Sequence, residues 1–352
     1  MSGDNEENLP NVLVFLTLKG NRFSRTLNFH HGLLRQGISS YWVEVDPKRK
    51  ARELRNVVNK FRDREAIYVV SSPSHILVPF LRILTRKKIF LDAGWPLYDG
   101  VIQSRKMFGF FGWRFLSTFL IDFFSFHISQ KVYLESNAQI LACRRRYWLP
   151  RKKLVALATG FDEDRFRNMH SRGDTSDDKV EKLVLFRGGP QEEAGIQVLF
   201  KALRNFNLPV GVKFVVVSKV AHPKELDDTK LVILQDFQDD SVLWDLYQRS
   251  EIVLGQLSSH ARLEKTLPHK FFEAGFFGKA YLTSNLGEIR KYVLSKNIMG
   301  FSPGNAEDLA LKISELLNSD DKRKLYADSL SALYKQEFSQ EVLTERFLKG
   351  LK

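Results

Sequence analysis

The segment from Leu267 to Asn285 has the sequence LPHKFFEAGFFGKAYLTSN. The pattern predicts a helix that carries Lys270 and Glu273 in its first turn and ends at Gly278, before a short strand at Ala280–Ser284. Because residues three apart share a helix face, the two charged side chains point together. A helix start also favours anions, so the segment predicts that Lys270 captures a phosphate and Glu273 captures hydroxyl groups. The alternative is an ordinary amphipathic helix with a Lys–Glu pair on the surface.

Two series of strands and helices run along the chain around this segment. The first begins with the apolar strand Val12–Leu18, a polar glycine turn and a helix. The second begins with the strand Lys182–Phe186 and the glycine turn 187–190. Short apolar strands that alternate with helices are typical of parallel sheets in doubly wound folds. The sequence therefore predicts an α/β protein with two Rossmann-like lobes whose parallel sheets face a cleft.

The length of 352 residues also favours two domains. The polar stretch 162–178 lies between the two series and has the composition of a linker region. The predicted organisation is a disordered tail at 1–10, an N-terminal domain at 11–170, a linker at 171–181, a C-terminal domain at 182–335 and a last helix at 336–352.

Cysteine and histidine usage limits the chemistry. The single cysteine, Cys143, cannot form a disulfide within the chain, and it shows no metal-ligand spacing with the eight histidines. We therefore predict no metal site. The acidic N-terminus lacks the basic-then-apolar pattern of a signal peptide, so a cytoplasmic protein is expected.

The positive charge of the chain is one-sided. Residues 1–170 contain 28 Lys or Arg and 15 Asp or Glu, whereas residues 171–352 contain 26 of each, so the whole excess of +13 lies in the first half. Such a field predicts an anionic partner for that half, either anionic lipid, a phosphorylated acceptor or nucleic acid. No recognised nucleic-acid-binding module is present, so nucleic acid is not expected.

The stretch Met107–Phe126 is rich in Phe and is interrupted by Arg114 and Asp122, which argues against a transmembrane helix. Two interpretations stay open: a helix that lies in a bilayer interface, or a buried helix of the first lobe. The one-sided charge favours the membrane. The predicted membrane residues are Phe110, Trp113, Arg144, Arg145 and Arg146.

The segment Pro268–Glu273 resembles the donor-site signature of retaining GT-B glycosyltransferases, the family 4-like group also called glycosyl transferases group 1, whose donor helix carries Pro-x-Lys-x-x-Glu. Further similar stretches occur in family order at 129–136, 160–162, 243–250, 281–289 and 300–310. The resemblance implies a GT-B fold whose last helix crosses back to the first lobe. It also implies that Glu273 binds the ribose hydroxyls of a nucleotide sugar, that Lys270 lies near the diphosphate or sugar, and that no metal or other cofactor is needed.

The sequence departs from this pattern in the donor lobe. The position of the family's second glutamate is Lys265, with Glu264 beside it, and the usual arginine and lysine of the glycine turn are Gly189 and Ala194. Arg187 lies two residues earlier and is the candidate for the diphosphate. The candidate donor residues beside Lys270 and Glu273 are Arg187, Gly188 and Gly189 with their backbone amides, Glu264, Lys265, His269 and Ser284.

The first lobe is expected to bind the acceptor. Asp92 ends a predicted strand, where functional residues lie in such sheets, and is a candidate to orient or deprotonate the acceptor hydroxyl. An N-cap or turn aspartate is the alternative. The candidate acceptor loops contain Gly20, Asn21, Arg22 and Gly94.

The main hypothesis is a retaining, metal-independent hexosyltransferase that moves a sugar from a nucleoside diphosphate to a polyprenyl-linked or polysaccharide glycan, peripheral to the inner face of the membrane. A non-catalytic GT-B partner subunit and a nucleotide-sugar 2-epimerase stay open as alternatives.

Overall fold

The computed structural model describes residues 12–20, 24–100, 113–167, 169, 182–204, 206, 209–226, 231–235 and 238–352. The chain divides into two compact units, Met1–Thr159 with Leu343–Lys352, and Gly160–Val342. The predicted tail at 1–10, the linker at 171–181, and Asn21, Arg22 and Phe110 lie outside the described residues.

The first unit contains a parallel six-stranded sheet in the order β2-β1-β3-β4-β5-β6. Its apolar strands are buried on both faces, because helices cover the two sides. The order changes direction between β1 and β3, and ligands bind at such switch points in doubly wound sheets. The elements are β1 Val12–Leu18, α1 Ser24–Arg35, β2 Ser40–Val45, α2 Lys50–Lys60, β3 Ala66–Ser71, α3 Leu77–Leu84, β4 Ile89–Gly94, α4 Trp113–Ile128, β5 Val132–Leu134, α5 Asn137–Tyr147 and β6 Leu154–Ala156.

The second unit repeats this plan with the strand order β12-β11-β10-β7-β8-β9, again with every pair parallel. Its switch point lies between β7 and β10. The elements are α6 Asp164–Arg167, β7 Lys182–Arg187, α7 Ile196–Leu203, β8 Val212–Val217, β9 Leu231–Leu234, α8 Asp240–Arg249, β10 Ser250–Leu254, α9 His269–Phe277, β11 Ala280–Ser284, α10 Arg290–Leu294, β12 Met299–Phe301, α11 Ala306–Leu317, α12 Asp320–Glu337 and α13 Gln340–Leu351.

The end of α13 packs into the first unit, as predicted for the last helix. The ring of Phe347 stacks on Phe29 and Tyr133 at centroid distances of 5.1 and 5.0 Å. The Tyr133 hydroxyl also donates to the carbonyl oxygen of Phe347 at 3.0 Å. These aromatic contacts fix the C-terminal residues against the first sheet.

The division differs from the predicted domain boundary at residue 170, because the chain after Thr159 already packs with the second unit. Glu163 accepts hydrogen bonds from the Tyr334 hydroxyl and the Gln340 amide, and the ring of Phe166 stacks on Trp244. The polar stretch that resembled a linker therefore begins with residues tied to the second core.

Candidate active site

The predicted helix is confirmed as α9, which begins at His269 and carries Lys270 and Glu273. It ends at Gly278, which adopts a left-handed φ of 62° and donates its amide to the last turn. Lys270 and Glu273 are only 5% and 2% exposed. The alternative of a surface Lys–Glu pair is therefore wrong.

The carboxylate of Glu273 is surrounded by hydrogen-bond donors from three elements. Its Oε1 atom accepts from Arg187 Nη2, at the end of β7, and lies 3.0 Å from Nδ1 of His269. Its Oε2 atom accepts from the hydroxyl of Tyr247 on α8. The Tyr247 ring stacks on Phe277 with a centroid distance of 4.5 Å, which fixes that hydroxyl. Glu273 is thus held from both sides.

The charges of this group are strongly coupled. Burial alone would raise the pKa of Glu273, but the neighbouring Arg187 and His269 outweigh it and hold this pKa well below its usual range. Burial raises the pKa of Tyr247 well above its ordinary value, so its hydroxyl stays protonated and donates. The group therefore contains an ionised carboxylate that neutralises a guanidinium.

Lys270 lies beside this group without a carboxylate partner among the described residues. Its ammonium nitrogen is 3.4 Å from Oε1 of Gln256 and 4.4 Å from the centroid of the Phe186 ring. Burial, followed by repulsion from Arg187, lowers the pKa of Lys270 to about 7. An incoming anion would restore the charged form of this side chain.

A cavity of about 600 Å³ opens beside Lys270 within the second unit. It lies at the carboxyl ends of β7 and β8, next to the switch point of the sheet. Its lining includes Arg187 and Lys270 but does not include Glu273. The described residues that line it are Arg165, Arg187, Gly188, Gly189, Pro190, Gln191, Glu193, Ala194, Val217, Ser218, Lys219, Gln238, Leu243, Gln256, His269 and Lys270.

The other ionised groups of this lining are largely paired. Arg165 forms an ion pair with Asp240, and Glu193 lies 3.2 Å from Arg262. Arg187 and Lys270 therefore supply hydrogen-bond donors to one side of the cavity, while Glu273, which balances the charge of Arg187, is outside the lining. Such a cavity suits a compact anion such as a diphosphate.

The glycine turn contributes to this cavity in a different way from the prediction. The Gly188 amide donates to the carbonyl oxygen of Val217 at 3.1 Å, so it is not available for a phosphate nest. The Gly189 amide has no acceptor among the described residues. A Cβ atom on Gly188 would lie 3.3 Å from the Lys270 ammonium, so glycine at this position allows the close approach of Lys270.

Gly195 fixes the loop that carries Gln256. It adopts a φ of 73°, and a Cβ atom there would lie 2.4 Å from the backbone nitrogen of Ser258. The Leu257 amide donates to the carbonyl oxygen of Ala194 at 3.1 Å. The start of α7 and the loop after β10 are therefore tied together, and this contact places Gln256 against Lys270.

Three predicted donor residues lie away from the cavity lining. Glu264 and Lys265 belong to a short 3-10 helix, Ala261–Lys265, that packs against Gly287. Ser284 is buried at the end of β11 and donates its amide to Gln256. Ser284 thus supports the loop next to Lys270, and the roles proposed for Glu264 and Lys265 stay predictions.

In the first unit, β4 continues two residues beyond Asp92 to Gly94, so Asp92 lies within the strand and not at its end as predicted, and it is fully buried. Its Oδ1 atom accepts from Arg25 Nε at 2.7 Å, and Arg25 Nη1 donates to the carbonyl oxygen of Leu157 at 2.8 Å. Burial raises the pKa of Asp92, although Arg25 opposes this shift. Gly94 packs on the Arg25 side chain with a φ of 55°, and Gly20 lies in an exposed turn. The acceptor roles of Asp92, Gly20 and Gly94 stay predictions.

The described part of the aromatic stretch, α4, is anchored on its buried side by two polar residues, Asp122 and Ser125, and the Ser125 hydroxyl donates to the carbonyl oxygen of His75 at 2.8 Å. Asp122 accepts from the backbone amides of Leu97 and Tyr98 at 3.1 and 2.9 Å, and from the Tyr147 hydroxyl at 3.0 Å. The exposed residues of α4 are mostly apolar but include Arg114 and His127. Trp113 is 77% exposed, and Trp148 at the end of α5 is 74% exposed.

The three predicted membrane arginines differ from one another. Arg144 and Arg145 are exposed on α5. Arg146 instead forms an ion pair with the buried Asp99 and packs over the Tyr98 ring at 4.7 Å, so it stabilises the unit internally. No helix in the described ranges combines the length and the apolar character needed to cross a bilayer.

Two residues of the site were not predicted from the sequence: Tyr247, which contacts Glu273, and Arg165, which lines the cavity. Tyr247 lies in the stretch 243–250 that resembled the family helix before the donor strand, and this resemblance was the one feature of the sequence that pointed to it. Its hydroxyl contact with Glu273 depends on the packing of α8 against α9, which the sequence does not show.

Residues 170–329 match the family model described as glycosyl transferases group 1. A search of curated protein sequences found no significant match. Among solved structures, the chain is similar to HepE of Anabaena in complex with UDP-glucose, with 13% identity, a TM-score of 0.68 and coverage of 97% of this chain and 99% of that one.

Two other solved structures are also similar over nearly their whole length. Sucrose-phosphate synthase from Thermosynechococcus elongatus shows 11% identity and a TM-score of 0.71, with coverage of 96% of this chain and 98% of that chain. A glycosyltransferase from Rickettsia africae shows 15% identity and a TM-score of 0.65, with coverage of 96% and 97%. Together with the two parallel six-stranded sheets, these likenesses confirm the predicted GT-B fold.

Proposed function

We propose that this protein is a retaining glycosyltransferase that binds a nucleoside-diphosphate sugar in the cavity of its second unit. The observation that carries the proposal is the position of Lys270 and Arg187 on the wall of a 600 Å³ cavity at the carboxyl ends of β7 and β8. The group 1 family match over this unit and the UDP-glucose complex of HepE support a nucleotide sugar as the ligand.

The main catalytic requirement of this transfer is to stabilise the negative charge that develops on the leaving diphosphate. Lys270 and Arg187 are placed to offset that charge, and the diphosphate would return Lys270 to its protonated form. In the front-face mechanism that the resemblance implies, a phosphate oxygen of the leaving group helps to deprotonate the acceptor hydroxyl. We propose that the two cations supply the electrostatic stabilisation without a metal ion.

We further propose that the acceptor is a lipid-linked or polysaccharide glycan at the cytoplasmic face of the membrane, and that the transferred sugar is a hexose. The support is the excess positive charge of residues 1–170 and the surface formed by α4 and α5. We call this surface the aromatic face. It consists of the exposed side chains of Trp113, Leu116, Phe124, Leu141 and Trp148, with Arg144 and Arg145 beside them.

Spacing supports a single aromatic face. Trp113, Leu116 and Phe124 are three and eight residues apart and so share one side of α4. Leu141 is exposed on α5, and Trp148 follows the end of that helix with a left-handed φ of 52°. His127 on α4 lies 3.0 Å from the carbonyl oxygen of Tyr147 on α5, so the two helices are neighbours. Exposed aromatic rings beside arginines suit the interface of an anionic bilayer.

The test is ligand-induced thermal stabilisation with UDP, ADP, GDP and their glucose and N-acetylglucosamine conjugates, with Lys270→Met as the control. A ligand at a hundred times its dissociation constant adds about 2.7 kcal/mol of stability. Stabilisation of the wild type that is clearly reduced in Lys270→Met would support the donor site. No stabilisation by any of these compounds would favour a non-catalytic partner subunit, and release of an epimerised sugar nucleotide without transfer would favour an epimerase.

A further inference from the structure

A cavity of about 620 Å³ lies in the first unit, between residues 62–67, the turn 87–88 and the end of α13. We call it the amino-end cavity, because Ala66 begins β3 and Lys88 directly precedes β4. Ligands of doubly wound sheets bind at the carboxyl ends of the strands. The amino-end cavity is therefore separate from the predicted acceptor residues Asp92 and Gly94, which lie toward the other end of β4.

The charged side chains that line this cavity are mostly cationic. Five of them are Lys or Arg, whereas only Asp63 and Glu65 are acidic. In the part of the chain that the structure describes, Arg62, Lys87 and Lys88 form no ion pair with a carboxylate. Positive charge thus exceeds negative charge at this end of the sheet, which favours an anionic ligand.

Two further contacts fix the turns that form the charged wall. The Lys87 ammonium donates to the backbone carbonyl oxygens of residues 61, 62 and 64, at the turn that follows α2. Arg82 Nη1 donates to the carbonyl oxygen of Lys87 at 3.2 Å and holds the turn before β4. Because these donors are used on neutral carbonyl groups, their positive charges are not cancelled. An anion would therefore meet a preorganised wall.

Arg62 and Lys88 are the lining cations that are suited to contact an anion directly. Both are exposed, and their side chains make no hydrogen bond within the described parts of the chain. The Lys87 ammonium is occupied by carbonyl oxygens, and Arg64 Nη1 lies 3.4 Å from the hydroxyl of Tyr41. Arg62 and Lys88 thus offer donors, while Lys87 adds charge behind them.

Another part of the cavity wall is apolar and consists of the buried residues Ala66, Ile67, Leu348 and Leu351. A few charged groups beside an apolar wall are typical of small-molecule sites, whose volumes are about 300–1,000 Å³. A phosphate monoester carries about 1.5 to 2 negative charges and three strong acceptor oxygens at neutral pH. Such a group suits a guanidinium and an ammonium side by side.

We propose that the amino-end cavity binds a phosphate monoester with an apolar body. Arg62 and Lys88 contact the phosphate, and the apolar wall packs against the body of the ligand. This site does not depend on the proposed donor site, which lies in the other unit. A soluble ester and the headgroup of a lipid share this chemistry, and the experiment separates them.

The experiment measures the binding of hexyl phosphate, inorganic phosphate and hexanoate to the full-length protein by titration calorimetry at low salt. Hexyl phosphate should bind at least about tenfold more tightly than inorganic phosphate, the effect of burying two methylene groups. It should also bind about tenfold more tightly than hexanoate, which offers the cations less charge and one acceptor fewer. Equal affinities for hexyl phosphate and hexanoate would contradict a phosphate site.

Arg62→Ser/Lys88→Ser should weaken the binding of hexyl phosphate by about tenfold or more, the effect of losing charge-assisted hydrogen bonds. Arg52→Ser/Arg55→Ser is the matched control, because it removes the same charge from exposed positions of α2 outside the lining. The control should bind like the wild type. Equal weakening in the two double variants would overturn the inference, since it would show only a diffuse attraction to the basic first unit.

Excess UDP should leave hexyl phosphate bound, and Lys270→Met should bind it like the wild type. Displacement by UDP would instead place the ester in the donor cavity and overturn the inference. Failure of UDP to bind, with hexyl phosphate bound as expected, would reject the donor site alone.

Vesicles separate the two sources of the ester. Displacement of hexyl phosphate by phosphatidylcholine vesicles that contain phosphatidic acid, but not by phosphatidylcholine alone, would support the site and identify a lipid headgroup. Retention of hexyl phosphate with both kinds of vesicle would support a site for a soluble ester.

Discussion

Each unit contains a buried pair between an arginine and a carboxylate at the carboxyl end of its sheet, and the two pairs differ in exposure. In the first unit the Arg25 and Asp92 side chains are 6% and 1% exposed. In the second unit the Glu273 side chain is 3% exposed, but the side chain of its partner Arg187 is 27% exposed and lines a cavity. The first pair is closed, and the second presents its cation to a cavity.

The carboxylates respond differently to these surroundings. Burial dominates at Asp92, whose pKa is raised in spite of Arg25. Arg187 and His269 outweigh burial at Glu273, whose pKa is held well below its usual range. The first pair is thus closed off from solvent, whereas the second presents Arg187 to the cavity in which we propose that the diphosphate binds.

The largest effect is expected from removing the arginine of the buried Arg25–Asp92 pair. Arg25→Met leaves Asp92 buried without its partner, which should cost about 3–5 kcal/mol of the free energy of unfolding. Urea denaturation measures this loss, while nucleotide affinity should stay at the wild-type value. The Arg25→Met/Asp92→Leu double variant should regain most of the stability. Loss of transfer activity in a fully stable Arg25→Met protein would instead place Asp92 in the chemistry.

The next largest effect is expected at Lys270, which lies beside the Arg187–Glu273 pair. Lys270→Met removes the cation beside Arg187 and should weaken nucleoside-diphosphate binding by about 10- to 100-fold, since hydrogen bonds to charged groups contribute about 1.5–3 kcal/mol. Titration calorimetry measures the change. Lys219→Met serves as the comparison for another lysine on the cavity lining. An unchanged affinity in Lys270→Met would show that Lys270 does not bind the diphosphate.

Vesicle binding tests the surface of the first unit and should show a smaller change. Replacing Arg144 and Arg145 with serine should reduce binding to phosphatidylglycerol vesicles by about 1 kcal/mol for each arginine. Arg290→Ser/Lys291→Ser, with the same loss of charge on the second unit, is the matched control and should bind like the wild type. Equal cosedimentation of all three proteins at low salt would contradict a membrane role for α5.

The last prediction is a pH dependence of stability at Lys270. Its pKa of about 7 lies below the ordinary value of 10.5, so between these values the unfolded chain holds more protons at this residue than the folded protein. Stability therefore rises with pH across that window at this site. Lys270→Met removes the penalty, so its gain in free energy of unfolding should be largest below about pH 7 and should shrink toward about pH 10. A gain that does not vary with pH would show that Lys270 is charged in the folded protein throughout.

Local patterns predicted the fold and part of the site. The strands β1, β7 and β11 follow from short apolar runs, and the spacing of Lys270 and Glu273 predicted their shared position on α9. The strand β12 was missed, because its three residues, with glycine at the centre, give no period to recognise. These strands and this helix could be predicted because they depend on residues that are close together in the sequence.

The partners of the charged residues could not be predicted in the same way. Arg187 and Glu273 are separated by 86 residues, and Arg25 and Asp92 by 67. Only the packing of the strands and helices brings them together. The sequence predicted Asp92 at a strand end and Arg187 in a glycine turn, but it did not show that one is closed off by Arg25 or that the other is anchored by Glu273.

The most direct test of the central claim is a crystal structure of the full-length protein with UDP-glucose. We predict a diphosphate against Lys270 and Arg187 in the cavity of the second unit, with Asp92 still closed off by Arg25. A diphosphate bound elsewhere, away from Lys270 and Arg187, would contradict the proposed donor site.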